Sequence, residues 1–285
     1  MTWPLGASTF IWTSPFGDGD LSLLGRIAAM GFKVVEVCVE DPTILSATRV
    51  AREAANCGLT VSVCGAFGPG RDAASADAHI RKDTEEYLKT LVRFAAEVGS
   101  PHVAGPMYAQ TGLIGPGAGD QRSRWAQAVE FLHCVADYAD VFGVSLAIEP
   151  LVRYEADLVN TVRQGLAMCT AVDASNVGLM LDTYHMNIEE HTFTQAIAEA
   201  GRRCLAVQVC ENDRGAPGSG HIDWAEVFSS LRRIDYRGSL VIESFVPSVH
   251  QLATAVCMWR PVAESPDELA SSGFAFLTSL MGDAS

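Results

Sequence analysis

The chain has 285 residues, more than one typical domain and fewer than two, which is the range of a single closed α/β barrel over residues 1–285. Hydrophobic residues at 48% and charged residues at 19% supply enough apolar surface for a large core and exclude a disordered or fibrous chain. Lys plus Arg (20) against Asp plus Glu (34) leaves a net charge of −14, a field that repels phosphate backbones and anionic lipid, so nucleic-acid and membrane partners are not expected.

The opening stretch, MTWPLGASTFIWTSPF, has no basic segment ahead of its apolar residues, and no later run approaches the roughly 18 apolar residues of a spanning helix. A cytoplasmic protein is the expectation. The eight cysteines are scattered without a CxxC pair, which predicts reduced and mostly buried thiols.

Along the chain one unit recurs: a helical pattern closes on a glycine and a short apolar run follows, at Gly31, Gly58, Gly99, Gly143 and Gly238. A glycine there suits the left-handed cap between a helix and a strand. Strands are predicted at 5–10, 33–38, 60–66, 102–105, 144–149, 177–182, 204–209 and 239–244, each followed by a helix. Continuous apolar runs of this length read as strands buried on both faces, as in parallel sheets. Leu88, Leu91, Val92 and Ala95 form the clearest helical stripe. Asp41-Pro42 and Ser265-Pro266-Asp267-Glu268 read as helix starts. Eight βα units predict a (β/α)8 TIM barrel, and the open doubly wound alternative lacks a GxGxxG after an early strand.

In such a barrel the residue that stops each strand faces the active-site end. Four successive runs stop on polar groups: Glu149, Asp182, Gln208 and Glu243. Three acids at one barrel mouth repel one another unless protons or a cation compensate. A divalent metal does so economically, and oxygen ligands favour Mn²⁺ or Mg²⁺, with Co²⁺ also fitting. The alternative for any one acid is a helix cap or strand end.

The strings Ala147-Ile-Glu-Pro, Arg153-Tyr-Glu155, Met180-Leu-Asp-Thr-Tyr-His-Met-Asn-Ile-Glu-Glu190, Glu211-Asn-Asp-Arg-Gly through Trp224, and Val241-Ile-Glu-Ser-Phe245 resemble the xylose-isomerase-like sugar isomerases and epimerases. Within that family they are most similar to the ketose 3-epimerases acting on D-tagatose, D-psicose and L-ribulose. The loops Gly65-Ala-Phe-Gly-Pro-Gly-Arg-Asp72 and Gly105-Pro-Met-Tyr108 also resemble family loops.

The resemblance implies C3 epimerisation of a free ketose or keto-polyol through a cis-enediolate, with Glu149 and Glu243 as both metal ligands and acid/base pair and Asp182 as a pure ligand. It implies contacts to the sugar from Glu155, His185 and Arg214, Mn²⁺ as the foremost metal, and a homodimer or homotetramer. Plain alternatives are a core histidine for His185, a surface acid for Glu155 and a loop salt bridge for Arg214. One departure stands out: the seventh-strand histidine ligand of the family corresponds to Gln208. An amide oxygen ligates more weakly than imidazole, so a lower affinity or a shift toward harder ions is expected. His221 lies too far along the chain to substitute.

The same superfamily also holds aldose-ketose isomerases, inosose dehydratases and lyases, and the change at Gln208 raises the possibility of a non-catalytic sugar-binding barrel. Glu36 reads either as orienting a neighbour in the site or as structural, and Cys210 as a buried inert thiol. Phe10, Trp12, Phe67 and Tyr108, near strand ends, form either an apolar wall for a sugar or packing under the loops. The glycine-rich stretch Gly112 to Gly119 reads as a flexible loop, with a lid or a dimer contact among its possible roles.

Overall fold

The computed structural model describes residues 2–115, 119–245 and 250–282. Eight strands run in chain order: β1 (Leu5–Ser8), β2 (Val34–Val39), β3 (Thr60–Gly65), β4 (His102–Gly105), β5 (Ser145–Ile148), β6 (Val177–Asp182), β7 (Cys204–Val209) and β8 (Leu240–Ile242). They pair in parallel, each with the next, and β8 returns to β1, closing the predicted barrel. Every predicted strand is present: β4, β6 and β7 keep their predicted bounds, β2 is shifted by one residue, and β1, β3, β5 and β8 are trimmed by one to three. β1 stops at Ser8 because the Ser8 hydroxyl accepts from the amide of Phe10 and turns the chain into a short 3-10 segment, Thr9–Ile11.

The helices are α1 (Ser22–Ala29), α2 (Ala47–Cys57), α3 (Ala78–Val98), α4 (Gln121–Val141), α5 (Val162–Val172), α6 (Thr183–Glu189), α7 (Phe193–Ala200), α8 (Trp224–Arg233), α9 (His250–Ala255) and α10 (Pro266–Gly282). Leu88, Leu91, Val92 and Ala95 of α3 are fully buried, as their stripe predicts. The helix start at Asp41-Pro42 is not observed. The Asp41 carboxylate does accept from the amide and hydroxyl of Thr43, but only a turn follows, and α2 begins past Ser46, whose hydroxyl accepts from the Arg49 amide. The second predicted start holds: Ser265 Oγ accepts from the amide of Glu268. Gly58 and Gly99 take the left-handed cap (φ 67° and 76°). Gly238 does not; Asp235 supplies the positive φ after α8, and at Gly238 a Cβ would run into the Tyr236 ring.

Alternation along the strands separates two cores. Val35, Val37 and Val39 of β2, Leu179 and Leu181 of β6, and Val207 and Val209 of β7 join the large layer under the helices. The intervening residues, among them Cys38, Cys64, Ala104, Ala147, Met180 and Ala206, form a second cluster, and period two places it inside the barrel. The same alternation carries Glu36, Glu149, Asp182, Gln208 and Glu243 inward. No helix among the described residues is long and apolar enough to cross a membrane.

Close approach of β6 to the start of β7 depends on Gly178. A Cβ there would lie 2.5 Å from the Arg203 carbonyl oxygen and 2.6 Å from Leu205 Cγ, beside a register shift at Leu179/Met180. Gly178→Ala is expected to cost about 1–3 kcal/mol through overpacking, to be read from urea denaturation.

Candidate active site

Four polar strand ends converge at one mouth of the barrel. Glu149 follows β5, Asp182 closes β6, Gln208 lies in β7 directly paired with Asp182, and Glu243 follows β8. All four are buried. Asp182 is held by its place as the cap of α6, where Oδ1 accepts from the amides of Tyr184 (2.6 Å) and His185 (3.3 Å). That cap also brings His185 into the cluster, with Nδ1 accepting from the Val152 amide at 2.9 Å and Nε2 3.5 Å from Glu149 Oε1.

Arg214 enters this cluster from the loop after β7. Its backbone is left-handed (φ 67°), and its carbonyl is held by the Ser244 hydroxyl at 2.7 Å. Nη1 donates to Asp182 Oδ2 (3.0 Å) and Glu243 Oε2 (2.9 Å), Nη2 lies 3.0 Å from His185 Nε2, and Glu155 Oε1 is 3.9 Å away. The guanidinium stacks on the Tyr184 ring, 4.0 Å from its centre. The loop that aims it is organised by Glu211, which is fully buried and accepts from Gly218 N, Ile222 N and Trp224 Nε1. The sequence assigns Glu211 no such role; its position just beyond β7, ahead of a glycine-rich loop, was the available signal.

Gln208 is turned by two acceptors. Its Nε2 donates to Glu36 Oε1 at 2.7 Å and Glu243 Oε1 at 3.1 Å. Its Oε1 is buried and has no hydrogen-bond partner among the described residues. A buried carbonyl oxygen without a donor is costly unless a cation or a bound water meets it. Glu149, Asp182 and His185 also offer ligand atoms that all lie within 4.8 Å of one another, a spacing that one ion can span. The donor set, oxygen-rich with one imidazole, fits a hard or borderline divalent cation.

Electrostatics follow from burial and crowding. Burial, followed by repulsion from Glu243 and Asp182, holds Glu149 well above the usual carboxylate range. Glu243 is raised well by burial against the opposing pull of Arg214. Burial lifts Glu155 and Glu36 to about 7 each, while burial and Arg214 keep His185 well below its ordinary value. Raised carboxyl groups side by side are what an acid and a base require of one another near neutrality.

Because Glu36 binds its proton more tightly folded than unfolded, its contribution to stability is present at acid pH and is lost as pH rises from about 4.5 to about 7. Glu36→Gln in ion-free protein should therefore flatten part of the fall in stability over that window, measured by chemical denaturation in EDTA at pH 5 and 8.

Above the cluster opens a cavity of about 270 Å³. Glu149, Glu155, His185, Arg214 and Glu243 line its polar side, and Phe10, Phe67 and Phe245 its apolar side. Asp182 and Gln208 lie beneath. Two of the aromatics read as a possible wall are elsewhere. Tyr108 is fully buried with its hydroxyl on the Val159 carbonyl, and Trp12 donates from Nε1 to Asp267 at the start of α10. Both residues satisfy a polar tip away from the cavity. The loop read over Gly112 to Gly119 falls partly outside the described residues, at 116–118; within it Gly112 N donates to the Glu155 carbonyl.

Residues 24–280 match the family described as xylose isomerase-like TIM barrel. A probable ketose 3-epimerase of Synechocystis sp. is 30% identical over 272 residues, 95% of this chain and 94% of that protein. An L-ribulose 3-epimerase of Methylomonas sp. is 29% identical over 275 residues, covering 95% and 96%. A solved structure of an L-ribulose 3-epimerase superimposes with a TM-score of 0.92 at 30% identity, over 99% of this chain and 97% of that one.

Proposed function

The chain belongs to the xylose isomerase-like TIM barrel family and is an enzyme of isomerase type, and from that premise we propose that it is a divalent-metal-dependent epimerase acting at C3 of a free ketose. The observation that carries the reading is the buried group at one barrel mouth, with ligand atoms of Glu149, Asp182 and His185 within 4.8 Å of one another, together with a Gln208 amide oxygen that has no donor among the described residues. Glu149, Asp182 and His185 would hold the ion, since their ligand atoms lie within one ion's span, and Glu243, joined to Asp182 through Arg214 Nη1, and Gln208 Oε1 would complete the set. When bound, a divalent ion such as Mn²⁺ polarises the substrate carbonyl and its neighbouring hydroxyl, which acidifies the C3–H bond.

The protein's own residues do the rest. Glu149 and Glu243 rise from separate walls of the barrel, three strands apart, so they can address opposite faces of one carbon. One removes the C3 proton, leaving a cis-enediolate, and the other returns a proton to the far face. The relative order of the two depends on which epimer is bound. Arg214 and Glu155 line the cavity at the polar end and orient the sugar's hydroxyls, and Arg214 Nε, buried with no hydrogen-bond partner among the described residues, offers a further donor. Phe67, Phe10 and Phe245 give the carbon face of the sugar an apolar surface and keep water from the reacting atom.

The test is incubation of free L-ribulose, D-psicose and D-tagatose with Mn²⁺-loaded protein in D₂O, followed by NMR. Deuterium at C3 with the carbonyl retained at C2 supports the reading. Carbonyl migration to C1 supports aldose-ketose isomerisation, and no exchange with any ketose overturns the epimerase reading.

Gln208→His should bind Mn²⁺ or Co²⁺ more tightly, by about tenfold or more, since imidazole is the better donor and Glu36 can accept from its second nitrogen. Calorimetric titration measures this directly. Unchanged affinity would show that residue 208 does not face the ion.

A further inference from the structure

Beneath the carboxylate centre lies a second group of ligating atoms that the reaction does not use. Period two places Glu36 and Cys38 on the same inner face of β2, and Cys38 is paired in register with Cys64 of β3. The Glu36 carboxylate and the two Sγ atoms all lie within 4.8 Å of one another, and all three residues are buried. We infer that Glu36, Cys38 and Cys64 form a binding site for a soft divalent cation, Zn²⁺ or Cd²⁺, one shell below the oxygen-rich centre.

The donor chemistry separates the two centres. Thiolates select thiophilic ions, whereas carboxylates and an amide oxygen suit Mn²⁺ and Mg²⁺. Two sulfurs and one carboxylate leave a fourth tetrahedral position, and Cys64 lines the cavity, so that position and a route for the ion lie on the open side. The outer contacts of a metal site are also in place. Ser8 Oγ is 3.3 Å from Cys38 Sγ, and Gln208 Nε2 holds Glu36 Oε1 at 2.7 Å. Burial raises the Cys38 thiol, and contact with Cys38 followed by burial raises Cys64, so each must release its proton to solvent as the ion binds. Cys210 is not part of the group: its sulfur lies against Asp182 and Arg214.

Cd²⁺ titration in excess Mn²⁺ tests the site through the ultraviolet thiolate-to-metal absorption. The expected result is a band that saturates at one equivalent. Cys38→Ser and Cys64→Ser should each weaken Cd²⁺ binding by more than the 10–100-fold that loss of an outer contact costs a metal site, while Cys210→Ser leaves the band intact. Absence of the band, its survival in both barrel variants, or its loss in Cys210→Ser would overturn the assignment. Should the barrel variants fail to fold, calorimetry of the unmodified protein in buffers of different ionisation enthalpy decides. Zn²⁺ binding in excess Mn²⁺ is expected to release about two protons from the thiols and a fraction more from Glu36, and release of none overturns the site.

Discussion

Glu149→Gln and Glu243→Gln are each expected to lower turnover by about 10³-fold or more while leaving the thermal midpoint of the ion-free protein unchanged or higher. General acid–base groups contribute roughly 10²–10⁴-fold, and each of these also removes a charged oxygen from the ion's surroundings. The fold should tolerate the change, because glutamine is isosteric and burial with like-charge crowding already disfavours the ionised form of both groups. Deuterium exchange without inversion makes the test sharper. With one glutamate gone, the epimer whose C3 proton faces the surviving carboxylate should still exchange that proton with solvent, and the other epimer should not. Near-wild-type epimerisation in either variant would show that two opposed glutamates are not the acid and base.

Barrel and strand-end acids were legible because both depend on short-range pattern. Eight apolar runs in alternation with helices leave few other closed arrangements, and a polar residue two places after an interior apolar one, as in Ala147–Glu149, Met180–Asp182 and Ala206–Gln208, marks the inner face near the mouth. What sequence could not carry was direction and distance. Tyr108 and Trp12 stand at the right height, but whether a loop aromatic turns toward the cavity depends on which polar partner its tip reaches, Val159 and Asp267 here. At Asp41-Pro42 the capping contact to Thr43 forms, but the chain makes only a turn there and the helix starts past Ser46. Glu36 meets Gln208 across 172 residues of chain, a contact no periodicity announces. Arg214 was readable as a loop cation, yet its place among the acids rests on a left-handed backbone at a non-glycine residue and on the Glu211 network that fixes the turn.

That placement makes Arg214 the counter-charge of the ion-free centre, and Arg214→Met the substitution with the largest expected effect on stability. The guanidinium is 3% exposed and bonds two buried carboxylates, Asp182 and Glu243. Methionine keeps much of the packing against Tyr184 and Phe245 and deletes only the charge and the donors. Removing one partner of a buried ion pair costs about 3–5 kcal/mol, because the other is left uncompensated. The cost should depend on pH in a definite sense. Glu243 already sits well above the ordinary carboxylate range, and without the neighbouring cation it rises further. At low pH it escapes by taking up a proton, so the variant loses less at pH 5, and the loss grows toward pH 8 as the parent's carboxylate, held by Arg214, ionises more readily than the variant's. Mn²⁺ restores positive charge to the same carboxylates, so saturating ion should narrow the gap between variant and parent at pH 8. Urea denaturation at both pH values, with EDTA and with Mn²⁺, measures all four cases. An identical cost at pH 5 and 8, unmoved by Mn²⁺, would mean that Arg214 stabilises the barrel mouth through packing and not as the balancing charge of its acids.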